Sequence, residues 1–559
     1  MTYLELAIII LILIAVTKPL GTYLYKIAGC DDISKKGIFN SIDNFIYKAI
    51  GIDKMSVMDW KKYSKAFFIT NIIMIFIAFI ILFVQALLPF NPTGAKGMNV
   101  ALAFNTAVSF MTNTNLQHYA GENGITFLSQ MLVIVFLMFA SAASGIATAF
   151  AIMRGIAQKR DNLGNFYVDF TRIITRLLLP FSIVITLILV SQGVPDTFSA
   201  VHKASTLQGG VQTIITGPVA VLESIKHIGT NGGGFFAANS AHPFENPNPF
   251  TNLIEMLSMM MIPAALVYTF GLMTGSKKHS RVLFISLMII FVTLTSVGIY
   301  SEAHAGKPFT QMSINNSLGN MEGKETRFGS GDSAIFAGVT TAFTTGSVNS
   351  MHDSYTPLGG GVPLIFMMLN TIFGGDGSGI QNIILYAILT VFITGLMVGR
   401  TPEYLGNKIE TREIKFAALA ILIHPLLILF ASAITIVSGN AVSSITNPGF
   451  HGLTQMIYEF TTASANNGSE FAGFAGNTAY MNMLTGVVMF IGRYATIILL
   501  MAIAGSMAKK TKLEPSKGTF RTDNALFGVL FVSIIIIVGA LTFFPALILG
   551  PISEFLSLV

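Results

Sequence analysis

Four short polar stretches interrupt an otherwise apolar chain: Thr112-Asn113-Thr114-Asn115, Thr230-Asn231-Gly232-Gly233-Gly234, Thr344-Thr345-Gly346-Ser347 and Ala465-Asn466-Asn467-Gly468. None of them holds an acidic or basic residue. What they offer is backbone carbonyls and the neutral oxygens of Thr, Ser and Asn. Rings of carbonyls replace the hydration shell of an ion. Glycine helps successive carbonyls face one way, because it adopts backbone angles closed to other residues. Neutral oxygens suit a large, weakly hydrated monovalent cation; Ca²⁺ and Mg²⁺ are held through carboxylates, and Mg²⁺ also needs a tight octahedron. The chemistry expected is a selectivity filter, with potassium as its natural ion. Any one stretch could be an ordinary turn, but four at equivalent places in a recurring pattern argue against that.

The elements that must carry these loops are membrane helices. Of the 559 residues, 52% are hydrophobic and only 11% charged, against about 25% charged in soluble proteins. The apolar runs are about 20 residues long and do not alternate, which excludes a barrel. The net charge of +6 has no basic patch interleaved with aromatics, so nucleic acid is not an expected partner. Cys30 is the only cysteine, so an intrachain disulfide and a thiolate cluster are both excluded.

The hydropathy pattern reads as an all-α polytopic protein of ten transmembrane helices. A first helix (1–25) precedes four copies of helix, short helix, loop and helix, over 63–153, 170–273, 280–398 and 415–508. A last helix follows in 524–559. The short segments are Val100 to Phe110, Gly217 to Ile228, Ala334 to Phe343 and Gly452 to Ala463, with Pro218 placed for a first helical turn. Five regions between these units hold 25 of the 33 Lys and Arg. Basic loops face the cytoplasm, so each unit starts and ends inside. The four repeats are then parallel, every short helix dips in from outside, and both termini are extracellular. Non-helical backbone at membrane depth must line a wet cavity or be buried in protein. Four loops around one axis satisfy this, and the short-helix C-termini add partial negative charge near the ion.

Longer motifs surround the loops: Asn105 to Phe110, Gly229 to Phe236, Asn239 to Pro247, Asn320 to Glu325, Met351 to Ser354, Gly399 to Gly406 and Ala465 to Ser469. Through them the chain resembles, over nearly its whole length, the potassium-binding A subunit of the Kdp-type potassium-transporting ATPase, a relative of the Trk, Ktr and HKT transporters. The resemblance implies a non-catalytic subunit in a bacterial cell membrane that selects extracellular K⁺ and passes it to a P-type ATPase subunit (Kdp B type). A C subunit and a small single-span peptide (the F type) would complete the complex. No cofactor is implied, since K⁺ is the cargo and the partner uses the ATP. The chain itself has neither a Walker A motif nor the Asp-Lys-Thr-Gly phosphorylation signature.

By the same resemblance Gln117 and Asn239 border the filter. Asn370 stands where many members of that family carry glutamate, and Arg400 belongs to the gate or exit region. Phe373-Gly374-Gly375-Asp376-Gly377 is too glycine-rich for a straight helix, so Val362 to Val398 is expected to break there, under the filter, as a gate. Arg493 lies midway along an apolar span, where a charge costs at least about 2.5 kcal/mol. It is expected to face the interior, either shaping ion exit or pairing with a carboxylate or with helix-end carbonyls. His352-Asp353-Ser354, which superficially evokes a hydrolase, reads as outer-vestibule structure. Two alternatives remain at this level: a stand-alone Trk-like K⁺ or Na⁺ transporter or channel, and an organic-solute transporter with inverted repeats, which the parallel charge pattern opposes.

Overall fold

A computed structural model describes residues 2–29, 37–157, 162–199, 201–304, 315, 317–399, 401–514 and 519–558. Cys30 and Arg400, both singled out above, lie outside the described residues. Among these residues, ten helices are long and apolar enough to cross a membrane. They are α1 (Thr2–Ile27), α2 (Trp60–Leu87), α4 (Phe127–Ala157), α5 (Phe166–Ser191), α7 (Pro249–Met273), α8 (Lys277–Ala303), α11 (Ser378–Met397), α12 (Thr411–Ser438), α14 (Ala479–Met507) and α15 (Ala525–Leu558). Of the shorter helices between them, five bear on the site: α3 (Val100–Met111), α6 (Val219–Ile228), α9 (Gly329–Ala342), α10 (Pro357–Leu369) and α13 (Gly449–Ala465).

Side-chain size explains which helices are central. In α4 and α7, 78% of the most apolar window is buried, against 22% in α2. The run Ala140-Ser141-Ala142-Ala143-Ser144-Gly145 of α4 is entirely buried, because small side chains let neighbouring backbones approach closely. By contrast, α2 leaves Ile73, Phe76 and Ile77 exposed, as a lipid-facing helix does.

Each of α3, α6, α9 and α13 packs between the helix before it and the helix after it: α3 on α2, α6 between α5 and α7, α9 between α8 and α10, α13 between α12 and α14. In addition, α3 packs on α14. Local sequence sets their starts. The Asn99 side chain accepts from Leu102 N and so caps α3. Pro218, expected inside the first turn of α6, stands one residue outside it. Its ψ of 61° is not helical, and the helix begins at Val219. The expected break in Val362 to Val398 is present: α10 ends at Leu369 and α11 begins at Ser378.

A two-stranded hairpin, β1 (Val201–Ser205) and β2 (Val211–Ile215), precedes α6. The sequence reading missed it. Its first strand, Val-His-Lys-Ala-Ser, has no period-two alternation, and its residues are mostly exposed.

Candidate cation filter

The four polar stretches begin where α3, α6, α9 and α13 end, and every residue in them is buried. The turn out of each helix is made in the left-handed region: Asn113 at φ 63°, Thr230 at 43°, Thr344 at 48° and Asn466 at 54°. Such angles are ordinary for Asn but costly for β-branched Thr, of order 1–3 kcal/mol at such sites. Two threonines held there, in equivalent positions, indicate that the surrounding structure dictates the loop backbone.

The loops meet one another. A Cβ added to Gly232 would lie 2.6 Å from the Thr345 carbonyl oxygen and 3.1 Å from that of Asn467. A Cβ at Gly346 would collide with the Asn467 carbonyl, and one at Gly468 with the Thr114 carbonyl. Carbonyl oxygens of the first, third and fourth stretches therefore crowd the glycines of the second, third and fourth. Side chains fasten the loops from behind. Asn113 Nδ2 donates to the carbonyls of Thr230 (2.7 Å) and Gly229 (3.2 Å), and its Oδ1 accepts from Ser141 and Asn231. Asn115 Nδ2 reaches Gly232 O at 3.3 Å, and Asn466 Nδ2 reaches Thr114 Oγ1 at 2.9 Å. Thr112 and Thr114 share a hydroxyl contact at 2.8 Å. The oxygens Asn115 Oδ1, Asn231 Oδ1 and Thr345 Oγ1 are buried without a hydrogen-bond partner.

The assembly has two distinct ends. At one, Gln117 bonds both polar groups of Gly234: its Oε1 accepts from Gly234 N (2.8 Å), and its Nε2 donates to Gly234 O (3.1 Å). Asn239 donates to Gly233 O at 2.6 Å, and its Oδ1 accepts from Lys226 Nζ at 2.8 Å. Both residues thus border the second loop, and Asn239 has its side chain committed to it. At the other end lies the broken segment between α10 and α11. Asp376 N donates to Thr230 Oγ1 at 2.8 Å, Gly374 N to Ala342 O at 2.9 Å, and Asn370 Nδ2 to Ala465 O at 3.5 Å. A Cβ on Gly375 would stand 3.2 Å from Thr344 O, and one on Gly377 would strike Gly145 of α4. The segment is therefore wedged against the first residues of three of the four loops.

Beside that end is a cavity of about 60 Å³ whose lining includes Asn370, His424, Ala465, Asn466 and Arg493. Arg493 is buried, as expected, but among the described residues it forms no ion pair. Its Nη2 has no hydrogen-bond partner, and neither carboxylate oxygen of Asp376 has one. A Cβ on Gly145 would fall 2.6 Å from Arg493 Nη2 and against the Asp376 carbonyl. The bare glycine is what admits both groups.

A charged shell behind the second loop escaped the sequence reading. Lys226 Nζ lies 2.6 Å from Glu223 and 3.0 Å from Glu245, and all three side chains are fully buried. His227 Nε2 stands 3.3 Å from Glu255 and 3.0 Å from Ser347 Oγ in the third loop. The available signal was Glu223-x-x-Lys226-His227 inside an otherwise apolar short helix, with Glu255 on the next span. Further out, Asp353 accepts from His451 Nε2 (2.9 Å) and from Gln455, while Glu554 accepts from His451 Nδ1 (2.9 Å). Burial alone would lower the His451 pKa, but these two carboxylates carry it up to about 9. The His352-Asp353-Ser354 segment is thus structural, with His352 bonded to the Tyr458 hydroxyl at 3.0 Å.

Residues 7–556 match the sequence model of the family described as "Potassium-transporting ATPase A subunit". A protein of Caldanaerobacter subterraneus subsp. tengcongensis named "Potassium-transporting ATPase potassium-binding subunit" is 65% identical over 555 residues, covering 99% of each chain. Proteins of the same name from Geobacillus kaustophilus and Clostridium acetobutylicum are 51% and 50% identical, over 99% and 100% of each chain. With near-complete coverage at this identity, the chain belongs to the potassium-transporting ATPase A subunit family.

Proposed function

We propose that this chain is the potassium-binding, non-catalytic subunit of an ATP-driven uptake complex in the bacterial cell membrane, with both termini extracellular. It selects K⁺ from outside and passes it to a P-type ATPase subunit; a C subunit and a small single-span peptide complete the assembly. The observation that carries this reading is the convergence of four uncharged loops whose carbonyl oxygens crowd one another's glycines. Loops packed this closely bring neutral carbonyl oxygens from several segments together, the kind of ligand that replaces the hydration shell of an ion. Because the loops are fastened from behind by Asn113, Asn115, Asn239 and Asn466, their spacing resists closing around a smaller ion. The broken segment Asn370 to Gly377 acts as the gate below the filter, with Asn370, Asp376, Arg400 and Arg493 shaping ion exit. The relatives' names support potassium and an ATPase partner over a stand-alone transporter.

The test is ion-dependent stabilisation. A ligand that binds only the native state stabilises by RT ln(1 + [L]/Kd), so K⁺ should raise the melting temperature and Na⁺ should not. Gly232→Asp introduces a side chain at φ 139°, against the Thr345 and Asn467 carbonyls, and should abolish the difference. Intact K⁺-over-Na⁺ selectivity in that variant would sink the filter reading. For the gate, shortening 373–377 should raise K⁺ leak and uncouple transport from ATP hydrolysis in the assembled complex; unchanged leak and coupling would dismiss it.

A further inference from the structure

Outside the filter, three side chains from separate segments converge on one point. His118 follows the first loop, Glu459 lies on α13 before the fourth loop, and Glu470 comes just after that loop. His118 Nε2 is 3.1 Å from Glu459 Oε1 and 3.8 Å from Glu470 Oε1. One donor atom from each lies within 4.8 Å of the others. Four-coordinate zinc, with nitrogen and oxygen ligands at 2.0–2.2 Å, places neighbouring donors about 3.3 Å apart. The two His118–carboxylate distances, 3.1 and 3.8 Å, bracket that spacing.

The second shell fixes which nitrogen faces the site. Asn482 Nδ2 donates to Asn477 Oδ1 at 3.0 Å, so Asn482 Oδ1 is turned to His118 Nδ1, at 2.8 Å. Nδ1 then donates to Asn482, and Nε2 faces the two carboxylates, donating to Glu459 until an ion displaces its proton. An imidazole oriented through its other nitrogen is the usual arrangement of a metal ligand. Two further observations bear on the site. Glu470 Oε1 is shut off from solvent and has no hydrogen-bond partner, although its side chain is 25% exposed, which gives a path inward. Gly476 packs against the face of the His118 ring, where a Cβ would stand 2.9 Å from Nε2 and 3.2 and 3.3 Å from the flanking ring carbons.

We propose that His118, Glu459 and Glu470 form a binding site for a divalent cation of the zinc class, with a fourth position open to solvent. The nitrogen-and-carboxylate donor set suits such an ion, whereas Ca²⁺ and Mg²⁺ prefer oxygen alone. The site joins the segment after the first loop to both flanks of the fourth, so the bound ion cross-links two filter loops from outside the K⁺ path. It stands whether or not the filter reading holds.

The experiment uses the purified full-length chain in detergent, with Co²⁺ as a spectroscopic probe and Zn²⁺ as competitor. One equivalent of Co²⁺ should bind with the strong visible bands of a tetrahedral site and be displaced by Zn²⁺. Glu470→Gln, which keeps the side chain's size, should weaken binding about tenfold or more. Gly476→Ala, whose Cβ would press on the face of the buried His118 ring and shift that ligand, should also weaken binding. Glu470→Gln should keep the wild-type melting temperature in metal-free buffer, which separates loss of the site from misfolding. Absent stoichiometric binding, or affinity unchanged in either folded variant, overturns the proposal.

Discussion

The filter loops and the shell behind the second loop are neighbours built on opposite electrostatic terms. The four loops contain no charge, and their walls are carbonyls, hydroxyls and amides. A few ångströms away, Glu223, Lys226, Glu245 and Glu255 are packed with no exposure to solvent. A charge facing a cation path would bind the ion too tightly or repel it, whereas conduction needs binding weak enough to release. The same charges turned inward hold Asn239, and through Asn239 the Gly233 carbonyl. The comparison sets four uncharged loops beside a buried charge cluster that holds one of them in place.

This contrast can be broken from either side, and the largest effect is expected on the neutral side. Gly232→Asp puts both a Cβ and a charge among the converging carbonyls, and should eliminate K⁺-dependent stabilisation altogether. On the charged side, Lys226→Met leaves buried carboxylates without their ammonium, at a cost of about 3–5 kcal/mol. Denaturant unfolding should show that loss, and a change under about 1 kcal/mol would mean that Lys226 does not brace the loop. Gln117→Ala removes two bonds to Gly234 and should cost about 1–3 kcal/mol in K⁺ binding free energy, read as a tenfold or so rise in the K⁺ midpoint. A midpoint within twofold of wild type would place Gln117 outside the filter's support.

The smallest effect is expected far from the ion, at His451. Its pKa is raised above the ordinary 6.5 to about 9, so the folded state holds its proton more tightly than the unfolded chain. The stabilisation is full below about pH 6.5 and is lost as pH rises through about 9. Melting temperature measured across that window should fall less steeply in His451→Gln than in wild type, with K⁺ selectivity unaltered. Parallel slopes would show that the bridge from Asp353 to Glu554 does not titrate.

Much of this was legible in the chain. The ten apolar runs, the four polar interruptions and the glycine-rich break before Ser378 are local properties, since hydrophobic length and backbone freedom are written residue by residue. Gln117 and Asn239 were placed by motif, and the structure adds what they bind. What stayed hidden depends on residues far apart in sequence. Lys226 looked like a stray cation until Glu245 and Asn239 were found against it, 19 and 13 residues on. Arg493 was visibly anomalous, but its place beside Gly145 and Asp376 joins two separate helices and the break between α10 and α11.

The sequence by itself determined that the chain spans a membrane many times, that its four special loops are uncharged, and that a helix must break at Phe373 to Gly377. Only the tertiary structure decided that the loops touch, that a fully buried charge cluster braces one of them, and that His118, Glu459 and Glu470 share a point. The physical reason is the range of the forces. Hydropathy and glycine geometry act within a few residues, whereas the meeting of loops and the pairing of charges require segments tens to hundreds of residues apart to pack within about 3 Å.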